Sequence, residues 1–272
     1  MSRLSTRFAS LKAAGRKALI PFITAGDPQP DVTVPLLHAL VDAGADVLEL
    51  GIPFSDPMAE GPAIQRACER ALAHDVSLKN VLEMVRQFRE TDGDTPIVLM
   101  GYLNPIEIMG YETFAQAAVE AGADGVITVD LPPEEAEDYL TAFHRYGLDA
   151  VFLLAPTSTA ERIKRVAEVA GGFVYYVSLK GVTGASNLDM NEVKEKLTEI
   201  RKRVTLPLGV GFGIKSPEIA AAVAREADAV VVGSALVNRI AELVDQPAEI
   251  LQVVPTFLAS LREAMDAVEV EA

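Results

Sequence analysis

Eight short apolar runs alternate with amphipathic stretches along the 272 residues. This alternation predicts an α/β fold of the (β/α)8 TIM-barrel class. A repeated joint supports it. Ala43-Gly44-Ala45-Asp46, Ala121-Gly122-Ala123-Asp124 and Tyr146-Gly147-Leu148-Asp149 each put glycine where a helix needs a left-handed cap before the next strand. Glu226-Ala227-Asp228 repeats the joint without the glycine. The length is the third observation, since about 250 residues suffice for one such barrel. No linker or low-complexity segment interrupts the pattern, so residues 1–272 are expected to form one barrel domain. A doubly wound open sheet is the alternative. It carries a glycine fingerprint after its first strand, and Thr24-Ala25-Gly26-Asp27-Pro28 is not one.

The elements follow in order. Leu4, Phe8 and Leu11 recur at helical spacing and predict an N-terminal amphipathic helix. Met1 to Lys17 is basic and free of acids, as in an organelle transit peptide, but the first strand begins almost at once. The predicted strands are Leu19 to Thr24, Val47 to Leu50, Pro96 to Met100, Gly125 to Val129, Ala150 to Leu154, Phe173 to Val177, Leu206 to Val210 and Ala229 to Val232. Each is short, rich in Val, Ile or Leu, and bounded by turn residues, as buried parallel strands are. The helices between them are read at Val34 to Ala43, Leu78 to Arg89, Tyr111 to Glu120, Glu134 to Tyr146, Ala160 to Ala170, Met190 to Arg203 and Pro217 to Arg225. Extra helices are expected after strands two and eight, the last ending near Ala267.

The formal charge of −15 argues against a nucleic-acid partner, which needs clustered basic surface. No apolar run is long enough to cross a bilayer. The single cysteine, Cys68, has no partner for an internal disulfide and reads as a small packing residue in a helical stretch. A cytoplasmic location is expected. His38, His74 and His144 have no metal-ligand spacing, so no metal site is expected.

Glu49 interrupts the apolar run Val47 to Ile52, and a carboxylate on a buried strand needs a compensating use. Eleven positions later comes Glu60, at the end of a proline-rich segment that suits a loop over a pocket. The plainer reading pairs Glu49 with a basic residue and starts a helix at Glu60. Late in the chain, glycines gather after three successive strands. They are Gly181-Val182-Thr183-Gly184, then Gly209-Val210-Gly211-Phe212-Gly213, then Gly233-Ser234-Ala235. Ser216 and Pro217 form a helix start behind the second cluster. Backbone N–H groups at such glycines and helix starts favour a phosphate held without clustered Arg and Lys. Lys180 invites a Schiff base but sits beyond its strand, as a surface lysine would. Phe22, Met100 and Phe212 stand at strand ends, where they either cap the core or line a flat apolar pocket. On strand six, alternation sends Tyr175 and Tyr176 to opposite faces.

The stretches Pro21 to Pro28, Leu48 to Gln65, Met100 to Pro105, Asp130 to Pro132, Gly181 to Gly184, Gly211 to Ile214 and Gly233 to Ala235 together resemble the tryptophan synthase alpha chain family, in order and spacing. Glu-Leu-Gly-Ile-Pro-Phe-Ser-Asp-Pro at Glu49 to Pro57 is the most specific of them. The resemblance implies a lyase that splits indole-3-glycerol phosphate into indole and glyceraldehyde 3-phosphate by a retro-aldol route. It implies no cofactor in this chain and a beta-chain partner that holds pyridoxal phosphate, in an alpha2-beta2 complex. By position it makes Glu49 and Glu60 the catalytic carboxylates. Phe22, Met100, Tyr175 and Phe212 become the indole pocket, Thr183 part of a closing loop, and Gly184, Gly213, Gly233 and Ser234 the phosphate site. The chain departs from the family at Glu60, where Asp is usual, and less consequentially at Met100 and Leu179. The longer acid leaves a second reading open, a catalytically weak subunit that activates the beta chain.

Overall fold

A computed structural model describes residues 2–178, 189–211 and 213–268. Its eight strands are β1 (Ala18–Thr24), β2 (Leu48–Gly51), β3 (Ile97–Gly101), β4 (Gly125–Thr128), β5 (Asp149–Leu154), β6 (Val174–Val177), β7 (Leu208–Gly211) and β8 (Ala229–Val232). All neighbours pair in parallel, and β1 also pairs with β8, so the sheet closes into the expected barrel. Around it run α1 (Arg3–Ala13), α2 (Pro30–Asp42), α3 (Pro62–Leu72), α4 (Leu78–Arg89), α5 (Leu103–Met109), α6 (Tyr111–Ala121), α7 (Glu137–Tyr146), α8 (Ala160–Val169), α9 (Met190–Arg201), α10 (Pro217–Glu226), α11 (Ser234–Glu242) and α12 (Pro247–Asp266).

Strand alternation divides the core into two layers. Leu19, Ile23, Leu48, Leu50 and Leu99 face the helices, while Ile20, Val47, Val98, Ile127, Val151 and Phe173 fill the barrel. Leu4, Phe8 and Leu11 of α1 join the inner layer and plug the N-terminal mouth, with the Phe8 and Phe173 rings 5.8 Å apart. The basic N-terminus is therefore a packed helix. Ser2 caps it, and Arg3 pairs with Asp124 at 2.8 Å.

The repeated joint has the structure its sequence predicts, and its aspartate has a use of its own. Gly44, Gly122 and Gly147 have φ of +101°, +100° and +73°. Asp46, Asp124 and Asp228 accept hydrogen bonds from the N–H groups of Leu19, Ile97 and Leu208 at the starts of β1, β3 and β7, at 3.0, 2.8 and 2.9 Å. Each carboxylate thus satisfies a donor that the ladder leaves free. Arg262, Arg89 and Arg201 pair with the same three acids.

Several boundaries differ from the sequence reading. β7 starts at Leu208, because Pro207 has no N–H for the ladder. The stretch from Glu134 is a 3-10 turn over Pro133–Glu135 followed by α7, since the pair Pro132-Pro133 removes donors from the first turn. α2 begins four residues early, at Pro30 in the first helical position. α5, after β3, was not foreseen; seven residues are too few for periodicity to register.

Candidate active site

Glu49 lies on β2 at the level of Phe22 on β1 and Val98 on β3, on the face that points into the barrel. It is 1% exposed, and among the described residues its Oε2 has no hydrogen-bond partner. The plainer reading of an ion-paired Glu49 therefore fails. Burial raises its pKa to about 8, with repulsion from Glu60 as a second cause. At neutral pH its carboxyl is held mainly protonated.

Glu60 ends the β2–α3 loop, and α3 starts after it, at Pro62 with Gly61 as cap. Its side chain is half-buried, and burial raises its pKa to about 7. Contacts along the loop and behind it hold this segment in place. Gln65 Nε2 donates to the Glu60 carbonyl at 2.9 Å. The Ala59 N–H donates to the Tyr102 hydroxyl at 2.8 Å, and the Tyr102 ring stacks on Phe54 at 5.0 Å. Arg70 of α3 grips the buried Asp27 in the β1 loop through two bonds of 2.6 and 2.9 Å, locking the helix behind the loop.

Tyr175 is the third acidic group here. Its side chain packs inside the barrel, whereas Tyr176 packs outside, as alternation requires. Its pKa is pushed well above 10 by burial and then by Glu49 and Glu60, so the phenol stays a donor. Gly211 makes this placement feasible, because a Cβ there would lie 2.1 Å from the Tyr175 hydroxyl. Gly209 likewise faces Phe173, at 3.2 Å. These two glycines make room for aromatic rings, a use apart from the phosphate role expected of Gly213 in the same run.

Phe22, Met100, Ile64 and Glu60 line a cavity of ≈ 20 Å³ with Thr24, Cys68 and Tyr102. That volume holds about one water. Glu49 lies two residues below the wall residue Gly51, roughly 6–7 Å deeper on the same face. Glu60 is part of the cavity wall, whereas Glu49 lies beneath the cavity, close enough for Glu60 to repel its charge. Sequence reasoning missed Thr24, although the alternation that turns Phe22 inward also turns Thr24 inward; its buried hydroxyl has no partner among the described residues. Cys68 also lines the cavity, with burial raising its pKa, so it stays a thiol.

The phosphate-end residues lie beyond β7 and β8, at the same mouth of the barrel. Gly213 has φ +74° and open space where a side chain would be. Gly233 is the N-cap of α11 and Ser234 its first residue, so the first N–H groups there have no carbonyl within the helix. The nearest atoms to a Cβ at Gly233 would belong to Phe22, from 3.6 Å, ordinary van der Waals contact. Val237, one turn along α11, packs with Phe22 and Ala67 and ties this end to the cavity. Ser216 caps α10 as expected, accepting from the Ile219 N–H. Thr183, Gly184, Phe212, Leu179 and Lys180 lie outside the described residues.

Comparison with known proteins agrees over the whole chain. The family model for the tryptophan synthase alpha chain matches residues 8–266. The tryptophan synthase alpha chain of Thioalkalivibrio sulfidiphilus is 64% identical over 266 residues, covering 98% of this chain and 100% of the relative. That of Nitrosococcus oceani is 58% identical over 269 residues, covering 99% of each. The crystal structure of tryptophan synthase subunit alpha from Legionella pneumophila superposes with a TM-score of 0.92 at 53% identity, covering 98% of this chain and 100% of that one.

Proposed function

The chain belongs to the tryptophan synthase alpha chain family, and from that premise we propose that Glu49 and Glu60 together cleave indole-3-glycerol phosphate. It is a lyase subunit. The observation that carries the residue assignment is the pair of carboxyls with pKa raised to about 8 and about 7, Glu60 on the wall of the cavity and Glu49 buried beneath it within reach of Glu60's charge. Their split suits an acid and an anion working side by side near neutral pH.

Protonated Glu49 delivers its proton to indole C3, and the ring becomes a cation. Ionised Glu60 faces the ring nitrogen and lowers the energy of that species. Glu49, now a carboxylate, takes the proton of the glycerol hydroxyl next to the ring. The carbon–carbon bond then breaks, and its electron pair returns to C3. An aldehyde leaves as glyceraldehyde 3-phosphate, indole leaves neutral, and Glu49 is protonated again. Phe22, Met100 and Tyr175 hold the ring. Gly213, Gly233 and the N–H groups at Ser234 hold the phosphate; by resemblance Gly184 joins them, Phe212 joins the indole pocket and Thr183 belongs to the closing loop. Indole does not fit in ≈ 20 Å³, so the loop from Pro53 to Glu60 swings outward to admit it and returns to exclude water.

The partner is the beta chain, in an alpha2-beta2 complex, with pyridoxal phosphate on the beta side. Met58 and Ile108 support a docking face at this mouth. They are 86% and 81% exposed, on the β2–α3 loop and on α5. Large apolar side chains so placed mark interaction surface. No helix among the described residues is long and apolar enough to cross a membrane, and a cytoplasmic site is proposed.

Glu60 in place of the family's Asp leaves the charge on the cavity wall, which favours an active enzyme over a mere activator. Indole release by the isolated chain, with and without beta chain, tests this. Cleavage that is abolished by Glu49→Gln is expected. Stimulation of the beta reaction without any cleavage would support the activator reading instead.

A further inference from the structure

The N-terminal mouth of the barrel, remote from both carboxylates, carries a cavity of ≈ 530 Å³, in the range of small-molecule sites. Phe8 and Leu11 of α1 and Leu206 and Pro207 ahead of β7 form its apolar floor. Lys12, Arg16, Lys17 and Arg201 stand around it, with Asp228 as the one acid of the lining. Such a cluster is out of keeping with a chain of charge −15. Both arginines are already engaged. Arg16 meets Asp266 through two bonds of 3.2 Å, and Arg201 meets Asp228 at 3.2 Å and the Glu226 carbonyl at 2.9 Å. Lys12 and Lys17 make no side-chain hydrogen bond or ion pair with any described residue. The last turn of α1 and the turn at Gly15, with φ +65°, bring them to one rim.

We propose that this cavity binds a small amphipathic anion, with a single carboxylate, sulfonate or phosphate head between Lys12 and Lys17 and an apolar body on the floor. The two arginines, braced by their carboxylates, shape the rim and leave the lysines as the groups with free donors. An ammonium pair with flexible stems accepts any of these heads, so selectivity comes from the body. The net negative charge of the whole chain repels polyanions, which restricts the site to small ligands. Nothing in the cleavage chemistry requires this cavity.

The probe is 1-anilinonaphthalene-8-sulfonate, titrated by fluorescence into the full chain, K12E/K17E, K12Q/K17Q and K12R/K17R, each checked for native circular dichroism. One saturable site is expected in the native chain. K12R/K17R should retain it, while K12Q/K17Q and K12E/K17E weaken it by at least about tenfold, since each loses two charge-assisted contacts. Raising the salt should weaken native binding in the same direction. Indole release should be unchanged in all four proteins. Absence of a saturable site overturns the proposal. So does binding that survives in both charge-removing variants, which would place the dye at the other mouth.

Discussion

Replacing Glu49 by glutamine keeps the shape of the side chain and removes its proton chemistry, so it isolates the cost of burying the acid. An ordinary glutamate titrates at 4.5, whereas burial beside Glu60 puts Glu49 at about 8. Between these values the folded state holds a proton that the unfolded state has lost, so stability falls as pH rises through that window. Working the linkage between pH 5 and pH 9 gives a loss of about 4 kcal/mol from this one group. Glutamine cannot titrate, and its own burial penalty is the same at both pH values. Urea denaturation of the native chain and Glu49→Gln at pH 5 and pH 9 reads the difference directly. The variant should gain on the native protein by about 3–4 kcal/mol between the two conditions. A gain under roughly 1 kcal/mol would mean that Glu49 is solvated or paired, and the acid role would go with it.

Further outcomes follow from the same geometry. The kcat/KM profile should be bell-shaped with limbs near 7 and 8, because the active form has Glu60 ionised and Glu49 protonated; a flat profile from pH 6 to pH 9 contradicts it. Glu60→Asp shortens the acid by one methylene, a shift of roughly 1–1.5 Å at the carboxylate. Since a 1 Å misplacement costs up to about 100-fold, indole release by the native chain should lie within about 100-fold of the variant; a silent native chain rescued by Asp would refute the reading. Gly211→Ala puts a methyl 2.1 Å from the Tyr175 hydroxyl, so the ring must move. The cost should be about 1–3 kcal/mol by urea denaturation together with a raised KM. Arg70→Met leaves Asp27 buried and unpaired, which should destabilise by about 3–5 kcal/mol at pH 7, less at pH 4 where Asp27 takes up a proton.

The barrel was legible because each strand and each helix-to-strand joint states its own role locally. Val47 to Leu50 reads as a buried strand from its β-branched and aliphatic residues between turns, and Gly122 as a left-handed cap from its place between a helix and a strand. The function of Asp46, Asp124 and Asp228 was not legible, because their partners lie about 20 to 30 positions away in the chain. Glu49 was found for the opposite reason, as a local rule broken. The role of the β7 glycines, Gly209 and Gly211, was not legible either. A glycine that spares an aromatic ring across the barrel and one that admits a phosphate look alike until the neighbouring strand is placed. Thr24 was within reach of simple alternation from Phe22. The short α5 was not, and neither was the depth of Glu49 below Gly51 in the cavity wall.

A crystal structure of the chain with an indole-bearing glycerol phosphate analogue tests the central claim most directly. The account predicts the Glu49 carboxyl within hydrogen-bond reach of the atom that replaces C3 or its neighbouring hydroxyl. Glu60 should face the ring nitrogen, and the phosphate should lie on the N–H groups at Gly213, Gly233 and Ser234. A ring seated away from both carboxylates, or a phosphate bound elsewhere at this mouth, would contradict it.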